Sequence, residues 1–225
     1  MLQHQLPSVP LHPAPWQLQG QGWVVALRLP ADAPARSAFL PEPGDEIPRG
    51  ALSLLMFVDY AQSDCGPYHE LLFIPGAQRF ADGRRHLTIS RILVSTWDSV
   101  VNGRNNWGIP KDRADFAVDY GADGTDRIRV SSEGRIMADL TLRSRWPFSL
   151  PVHGGILPVA MRTLAQRLDG RTFLYAPSSR GWIRPGKLLA SRFDDALFPD
   201  LSTAQVVAAV KIPTFRMTFP VATVL

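Results

Sequence analysis

Lysine is the residue of this chain whose scarcity and position suggest chemistry. Only three of the 24 basic residues are lysines: Lys111, Lys187 and Lys211. A lysine, unlike an arginine, can give up its proton and act as an amine. Trp107 and Pro110 give Lys111 an apolar approach, and an ammonium desolvated by such neighbours loses its proton more easily. The free amine can then attack a ketone. The alternative is a surface lysine whose stem lies on apolar groups while its charge stays in water.

A carboxylate, Glu70, stands 41 residues before Lys111 and opens an otherwise apolar strand pattern over Tyr68–Pro75. Such a group is either an exposed edge residue or a carboxylate held in a lined pocket. Arg104 and Asn106 precede the lysine in a loop-like segment. An arginine there is suited either to a substrate carboxylate or to backbone carbonyls at the end of a helix.

Other catalytic patterns are incomplete. The segment Gly20–Gly22 starts like a dinucleotide-binding loop, but a strand follows where a helix N-terminus has to receive the phosphate. No Gly-x-Ser-x-Gly elbow is present, and Cys65 fits a small residue in a turn. His69, His86 and His153 lack the spacing of a metal motif, so we predict no metal and no cofactor.

Charge and apolar runs indicate the setting. The net charge of +4 is spread along the chain, and its one tight basic cluster, Arg84–His86, does not favour nucleic-acid binding. The run Leu54–Val58 is far shorter than the roughly 20 apolar residues that span a bilayer. A single cysteine and a proline-bearing segment Met1–Trp16 without signal-peptide features favour the cytoplasm.

The elements that must position these residues are mostly strands separated by turns. Ten strands are predicted: Gly22–Leu29, Leu52–Tyr60, Tyr68–Pro75, His86–Ser95, Ala114–Tyr120, Asp126–Ser131, Arg135–Arg143, Thr172–Tyr175, Trp182–Arg192 and Ala204–Phe219. Three short helices are predicted: Ala33–Leu40, Thr96–Gly103 and Leu157–Leu168. We predict a mainly β (α+β) fold, in which an antiparallel sheet folds into a barrel-like cavity with a few peripheral helices. Residues 1–21 form an extended arm and residues 22–225 a single domain.

Two segments resemble, in order and spacing, the signature of the acetoacetate decarboxylase family. Gly66–Glu70 matches its Gly-x-Tyr-x-Glu stretch, and Gly103-Arg104 with Pro110-Lys111 matches the stretch that holds its Schiff-base lysine. The resemblance implies that Lys111 condenses with a ketone carbonyl and that Glu70 orients the substrate or moves a proton. It also implies a homo-oligomer acting on a small oxo acid or ketone. The predicted cavity lining adds Tyr68, Trp107, Arg104 and Asn106.

The sequence departs from the family pattern at three places. Asp112 replaces the second lysine of the decarboxylases, Leu55 or Ser53 stands where they carry another glutamate, and their N-terminal arginine falls near Gly20. If Asp112 faced the amine it would favour the charged ammonium. Two classes of function therefore stay open: a Schiff-base lyase of the decarboxylase or aldolase-dehydratase type, and a barrel that binds an apolar or oxo-acid ligand without covalent chemistry.

Overall fold

A computed structural model describes residues 6–30, 39–40, 45, 50–80, 82–154 and 159–225. These residues form sixteen strands and two helices. The strands are β1 (Trp16–Arg28), β2 (Leu52–Gln62), β3 (Tyr68–Ile74), β4 (Ala77–Arg79), β5 (Arg85–Leu87), β6 (Arg91–Val94), β7 (Lys111–Arg113), β8 (Asp115–Tyr120), β9 (Thr125–Ser132), β10 (Arg135–Arg143), β11 (Leu150–His153), β12 (Leu164–Leu168), β13 (Arg171–Tyr175), β14 (Ser178–Phe193), β15 (Gln205–Phe219) and β16 (Thr223–Val224). The helices are α1 (Trp97–Trp107) and α2 (Val159–Arg162).

Ten strands of the larger sheet follow the order β7-β6-β3-β2-β1-β15-β14-β10-β9-β8, and β11 pairs with β14. Neighbours are antiparallel except β6 and β7, which run parallel and are joined by α1. The predicted mainly β, mostly antiparallel fold is confirmed. No sheet formed by the described residues closes into a barrel, so the barrel-like cavity stays a prediction.

The smaller sheet has the order β16-β13-β12-β5-β4. It packs against the larger sheet, since Tyr175 of β13 shares an apolar cluster with Tyr68 of β3. Its packing against α1 is visible at Gly108, where an added Cβ would lie 2.9 Å from Cε2 of Phe173 on β13. Within this sheet β5 and β12 pair in parallel through a single register position.

Strand β3 is buried on both faces because it separates two apolar clusters. Leu71 and Phe73 point into a cluster shared with β9 and β10. Tyr68 and Leu72 point the other way, into a cluster that includes Trp107 of α1 and residues of the smaller sheet. Glu70 has the same parity as Tyr68 and Leu72, so its carboxylate enters the second cluster.

Most predicted strands occur within a few residues of their expected bounds, with two differences. Strand β1 begins at Trp16, six residues before the predicted start. The predicted strand His86–Ser95 is two strands, β5 and β6, that belong to different sheets. Thr88 and Ser90 between them are buried, and Ser90 hydrogen-bonds the main chain of Phe73.

The helix predictions fared less well. Helix α1 continues past Gly103 and ends at Gly108, which adopts the left-handed conformation with φ 62°. The predicted helix Leu157–Leu168 is wrong over Leu164–Leu168, which pairs with β13 as a hairpin through the turn Asp169-Gly170. Both turn residues have positive φ, as tight hairpin turns require. In the predicted helix Ala33–Leu40, residues 33–38 lie outside the described residues, and 39–40 are not helical.

Neither helix of the described chain has the length or the apolar character needed to cross a membrane.

Candidate active site

The amine of Lys111 is buried and held by two side chains. Its Nζ donates to Oε2 of Glu70 at 2.9 Å and to Oγ of Ser99 at 2.9 Å. Only 4% of the lysine side chain and 6% of the glutamate side chain are exposed. Burying a lysine and a carboxylate at this depth is costly, and each charge is compensated by its pairing and hydrogen bond with the other.

The local chain explains how the lysine reaches this position. Strand β6, helix α1 and strand β7 form a compact parallel crossover, so Ser99 and Gly103 lie one turn apart on the helix face toward β7. Gly103 leaves room for the lysine stem, because a Cβ there would lie 2.7 Å from Cδ of Lys111. The hydroxyl of Thr96 caps the helix by accepting from the Ser99 amide at 3.3 Å.

Two tyrosines complete the surroundings of the pair. The hydroxyl of Tyr60 donates to Oε1 of Glu70 at 3.2 Å. The Lys111 Nζ lies 5.0 Å from the centre of the Tyr68 ring, within the range of a cation–π contact. Burial, and then the negative charge of Glu70, raise the pKa of both phenols well above the ordinary value, so both stay neutral.

The structure brings three of the predicted site residues together, Tyr68, Glu70 and Lys111, and places the others around them. Trp107, the last residue of α1, is buried and donates its indole N–H to the Pro220 carbonyl at 2.7 Å. Asn106 donates to the His12 carbonyl at 2.8 Å and so holds the N-terminal segment on α1.

Arg104 of α1 holds strand β7 in place through its contacts with the Lys111 carbonyl and with Asp112. Its Nε donates to the Lys111 carbonyl at 2.9 Å, and its Nη2 donates to Oδ1 of Asp112 at 2.9 Å. These contacts favour the backbone-binding interpretation of Arg104 over direct contact with a substrate.

Asp112 points away from the Lys111 amine, so its carboxylate does not lie beside the ammonium. Its buried carboxylate accepts hydrogen bonds from Arg91 and from Arg104. Adjacent residues of a strand face opposite sides, so this carboxylate lies across β7 from the amine.

The positions where the decarboxylases carry a further glutamate and an N-terminal arginine have other roles in this chain. Leu55 is buried in the first apolar cluster. The Ser53 hydroxyl donates a hydrogen bond to the Pro75 carbonyl at 3.0 Å. A side chain on Gly20 would collide with the carbonyl oxygen of Asp59. Since neither Leu55 nor Ser53 supplies a carboxylate, the carboxylate that contacts Lys111 is that of Glu70.

The alternative chemistries do not assemble. His86 is paired with Asp82 at 2.7 Å, and His69 faces Asp59 at 3.5 Å. Within the described residues, no three His, Cys, Asp or Glu side chains form a group that could hold a metal. Burial raises the pKa of the Cys65 thiol, which disfavours a thiolate nucleophile.

Sequence reasoning missed Ser99, Tyr60 and the role of Gly103. A hydroxyl on the buried face of a short helix, four residues before a glycine, was the available signal for Ser99 and Gly103. Tyr60 ended a predicted strand with no local sign that its hydroxyl meets Glu70.

Several solved structures share this fold. The enduracididine biosynthesis enzyme MppR, solved with pyruvate, is 20% identical over 96% of this chain and 92% of its own, with a TM-score of 0.64. Acetoacetate decarboxylase from Legionella pneumophila is 16% identical over 100% of this chain and 93% of its own, with a TM-score of 0.67. An acetoacetate decarboxylase-like enzyme from Sphingomonas wittichii RW1 is 16% identical, covers 94% of this chain and 93% of its own, and has a TM-score of 0.68.

The sequence itself identifies the family. The family model of acetoacetate decarboxylase matches residues 8–148, more than half of the chain. The chain belongs to the acetoacetate decarboxylase family, and it is a lyase-type enzyme. No curated protein sequence matches it.

Proposed function

We propose that the chain is a Schiff-base lyase that acts on a small or medium oxo acid or ketone through Lys111. The observation that carries the proposal is the buried Lys111 amine, 2.9 Å from the Glu70 carboxylate and 2.9 Å from the Ser99 hydroxyl. A surface lysine retained for solubility has no need of a dedicated glycine, a buried hydroxyl and a buried carboxylate. Decarboxylation and aldol condensation with dehydration both begin from the imine that such a lysine forms with a carbonyl carbon.

The chemistry starts with a proton leaving the ammonium, for which the Glu70 carboxylate is the adjacent acceptor. The amine then attacks the carbonyl carbon, and the proton held by Glu70 passes to the hydroxyl of the adduct, which leaves as water and gives a cationic imine. That cation takes up the electron pair of the neighbouring bond as carbon dioxide or a proton departs, giving an enamine. Protonation of the enamine carbon and hydrolysis of the imine by water release the product and restore the amine.

Neutral phenols suit this sequence of charges. Tyr60 can hold Glu70 in place through its hydroxyl in both protonation states of the carboxylate, because the phenol itself does not ionise in the working range. The Tyr68 ring faces the nitrogen that carries the positive charge of the imine, and an aromatic face stabilises such a cation.

A non-covalent binding protein is the second candidate, and the same ion pair favours it. If Glu70 keeps Lys111 protonated throughout, the pair is a fixed polar group in a ligand site and not a nucleophile.

Borohydride trapping separates the two candidates. The protein is incubated with a panel of oxo acids and ketones, reduced, digested and mapped by mass. Pyruvate leads the panel because MppR was solved with it. We expect a stable mass increase on the peptide that contains Lys111, and none in Lys111→Ala. Lys187→Ala is the matched control, since Lys187 is an exposed lysine and its loss should leave the labelling unchanged. An unlabelled Lys111 across the panel at neutral and alkaline pH supports the binding protein.

We further propose that the chain works as a cytoplasmic homo-oligomer, with residues 1–21 as an arm and residues 22–225 as one domain. Part of this arm lies on the chain's own α1, where Asn102 donates to the Pro10 carbonyl at 3.0 Å and accepts from the His12 amide at 2.7 Å. Native mass spectrometry of the full chain and of a chain lacking residues 1–9 tests whether the first residues contribute to assembly.

A further inference from the structure

A row of basic side chains crosses the outer face of the larger sheet, away from Lys111. Strand pairing places His153 of β11 opposite Arg180 of β14, and Arg180 opposite Arg216 of β15. Residues directly opposite in an antiparallel pair point to the same face, with Cβ atoms about 4.5–5.5 Å apart. The two guanidinium groups therefore start from neighbouring positions on one surface.

This surface is the reverse side of the sheet from the lysine. Phe215, one residue before Arg216, is buried in the apolar cluster that contains Tyr60, and their ring centroids are 5.8 Å apart. Side chains alternate along a strand, so Arg216 faces outward. Arg180 and Arg216 are both exposed.

Nothing in the described chain neutralises the arginine pair. No carboxylate of the described residues forms an ion pair with Arg180 or Arg216, although most other described carboxylates have a basic partner. Like charges directly opposite each other on neighbouring strands are destabilising. Both guanidinium groups are therefore available to an anion, and the hollows beside them distinguish this pair from other exposed arginines.

Two hollows flank the pair, and His153, Arg180 and Arg216 line both. One, of about 560 Å³, continues over Trp182 and Pro151. The other, of about 460 Å³, continues over hydroxyl and amide side chains of β1, β14 and β15. Neither hollow is lined by an acidic residue.

Two of the three residues in the next row of the same face, Pro151 and Trp182, are apolar. Trp182 lies two residues after Arg180 on β14 and is paired with Pro151 and Thr214. Its side chain is 45% exposed, which is unusual for a tryptophan on a sheet. A flat apolar surface thus adjoins the arginine pair inside the larger hollow.

We propose that this face binds an organic phosphate, with the phosphate between Arg180 and Arg216 and its apolar part against Trp182. A phosphate monoester offers three acceptor oxygens and nearly two negative charges, enough for both planar guanidinium groups at once. The site is separate from the Schiff-base chemistry and stands whether or not Lys111 is a nucleophile.

The test measures binding of inorganic phosphate and phenyl phosphate by calorimetry, at constant ionic strength set with sodium chloride because salt alone screens exposed charges. We expect phenyl phosphate to bind more tightly than inorganic phosphate. Arg180→Gln and Arg216→Gln should each weaken both ligands at least tenfold. Trp182→Ala should weaken phenyl phosphate alone, and Lys111→Ala should bind as the wild type does.

A matched control comes from the smaller sheet, where Arg79 and Arg85 are also paired directly opposite each other and exposed. Neither of them lines the two hollows. Arg79→Gln with Arg85→Gln should leave phosphate binding unchanged. Equal losses in the two arginine pairs would reduce the effect to general surface charge and overturn the proposal. A second outcome would also overturn the proposal. If the wild type binds no phosphate and Arg180→Gln changes the native mass, the face is buried between two copies of the chain.

Discussion

Gly103→Ala tests the site with the smallest possible change, one methyl group beside the lysine stem. The new Cβ would lie 2.7 Å from Cδ and 2.9 Å from Cε of Lys111. Ordinary carbon–carbon contacts are about 3.5–4.0 Å, so the side chain has to move by roughly 1 Å. Helix α1 and β7 are packed and cannot supply this space cheaply, which leaves the lysine stem as the part that moves.

Displacement of the amine should cost reactivity more than stability. Misplacing a reacting group by about 1 Å reduces a rate on the order of 100-fold, and we expect that fall in the rate of imine trapping. Breaking one hydrogen bond of the charged amine costs about 1.5–3 kcal/mol, whereas alanine is better than glycine within a helix by about 1 kcal/mol. The free energy of unfolding should therefore fall by only about 0.5–2 kcal/mol.

The assay is the time course of borohydride trapping, followed by intact mass, with urea denaturation alongside. Asn105→Ala is the matched control, since Asn105 is exposed on the same helix and two residues away. That variant should gain a few tenths of a kcal/mol from helix propensity, roughly, and trap at the wild-type rate. A Gly103→Ala protein that traps as fast as the wild type would refute the role assigned to the lysine position.

Three further predictions concern stability. The hydroxyl of Tyr175 is buried without a well-formed hydrogen bond among the described residues, with the Gln166 side chain as a polar neighbour, so Tyr175→Phe should leave the free energy of unfolding unchanged or raise it by up to about 1 kcal/mol; a clear loss in urea denaturation would show that Gln166 holds the hydroxyl. Asp112→Asn removes the charge that holds two arginines behind the lysine and should cost about 3–5 kcal/mol, measured in the same way; a neutral result would contradict the buried pairing. The hydrogen bond from Arg135 lowers the pKa of the Asp194 carboxyl, so the pair stabilises the fold above the ordinary carboxyl range and this contribution is lost as the pH falls through the lowered pKa. In carbon-detected NMR titration Arg135→Ala should raise the Asp194 midpoint, and an unmoved midpoint would exclude the pairing in solution.

Local patterns predicted the strands because alternation and turns act over a few residues. Leu52–Tyr60 and Tyr68–Pro75 were found almost to the residue, and Gly66-Pro67 marked the turn between them. The predicted division between an arm and one domain is a matter of long-range contacts and stays a prediction.

One error came from a contact made through the fold, and the other from a local turn that the helical spacing obscured. Gly103 looked like the end of a helix, but the helix tolerates it because the missing Cβ makes room for Lys111. Leu164–Leu168 has helical spacing, yet it pairs with β13 because the hairpin turn Asp169-Gly170 brings the two segments together. Both residues of that turn were visible in the sequence, whereas the lysine contact was not.

The site shows the same division. The motifs identified Glu70 and Lys111, and their 2.9 Å contact could be expected from the family resemblance. The direction of Asp112 depends on which face of β7 it occupies, and the contacts of Arg104 depend on the face of α1 from which it reaches β7. A one-residue difference in parity reverses that outcome, so spacing alone could not decide it.

The residues of the candidate site come from two short segments of the chain. The hairpin β2–β3 supplies Tyr60, Tyr68 and Glu70, and the crossover from β6 through α1 to β7 supplies Ser99 and Lys111. Both lie within residues 52–113, whereas the smaller sheet that packs against the larger one is built largely from residues after 148. In evolutionary terms, the smaller sheet is divided: β4 and β5 belong to the segment that carries the lysine, whereas β12, β13 and β16 do not. Substitutions in these last three strands can therefore reshape that sheet without altering the segment that holds Lys111 and Glu70.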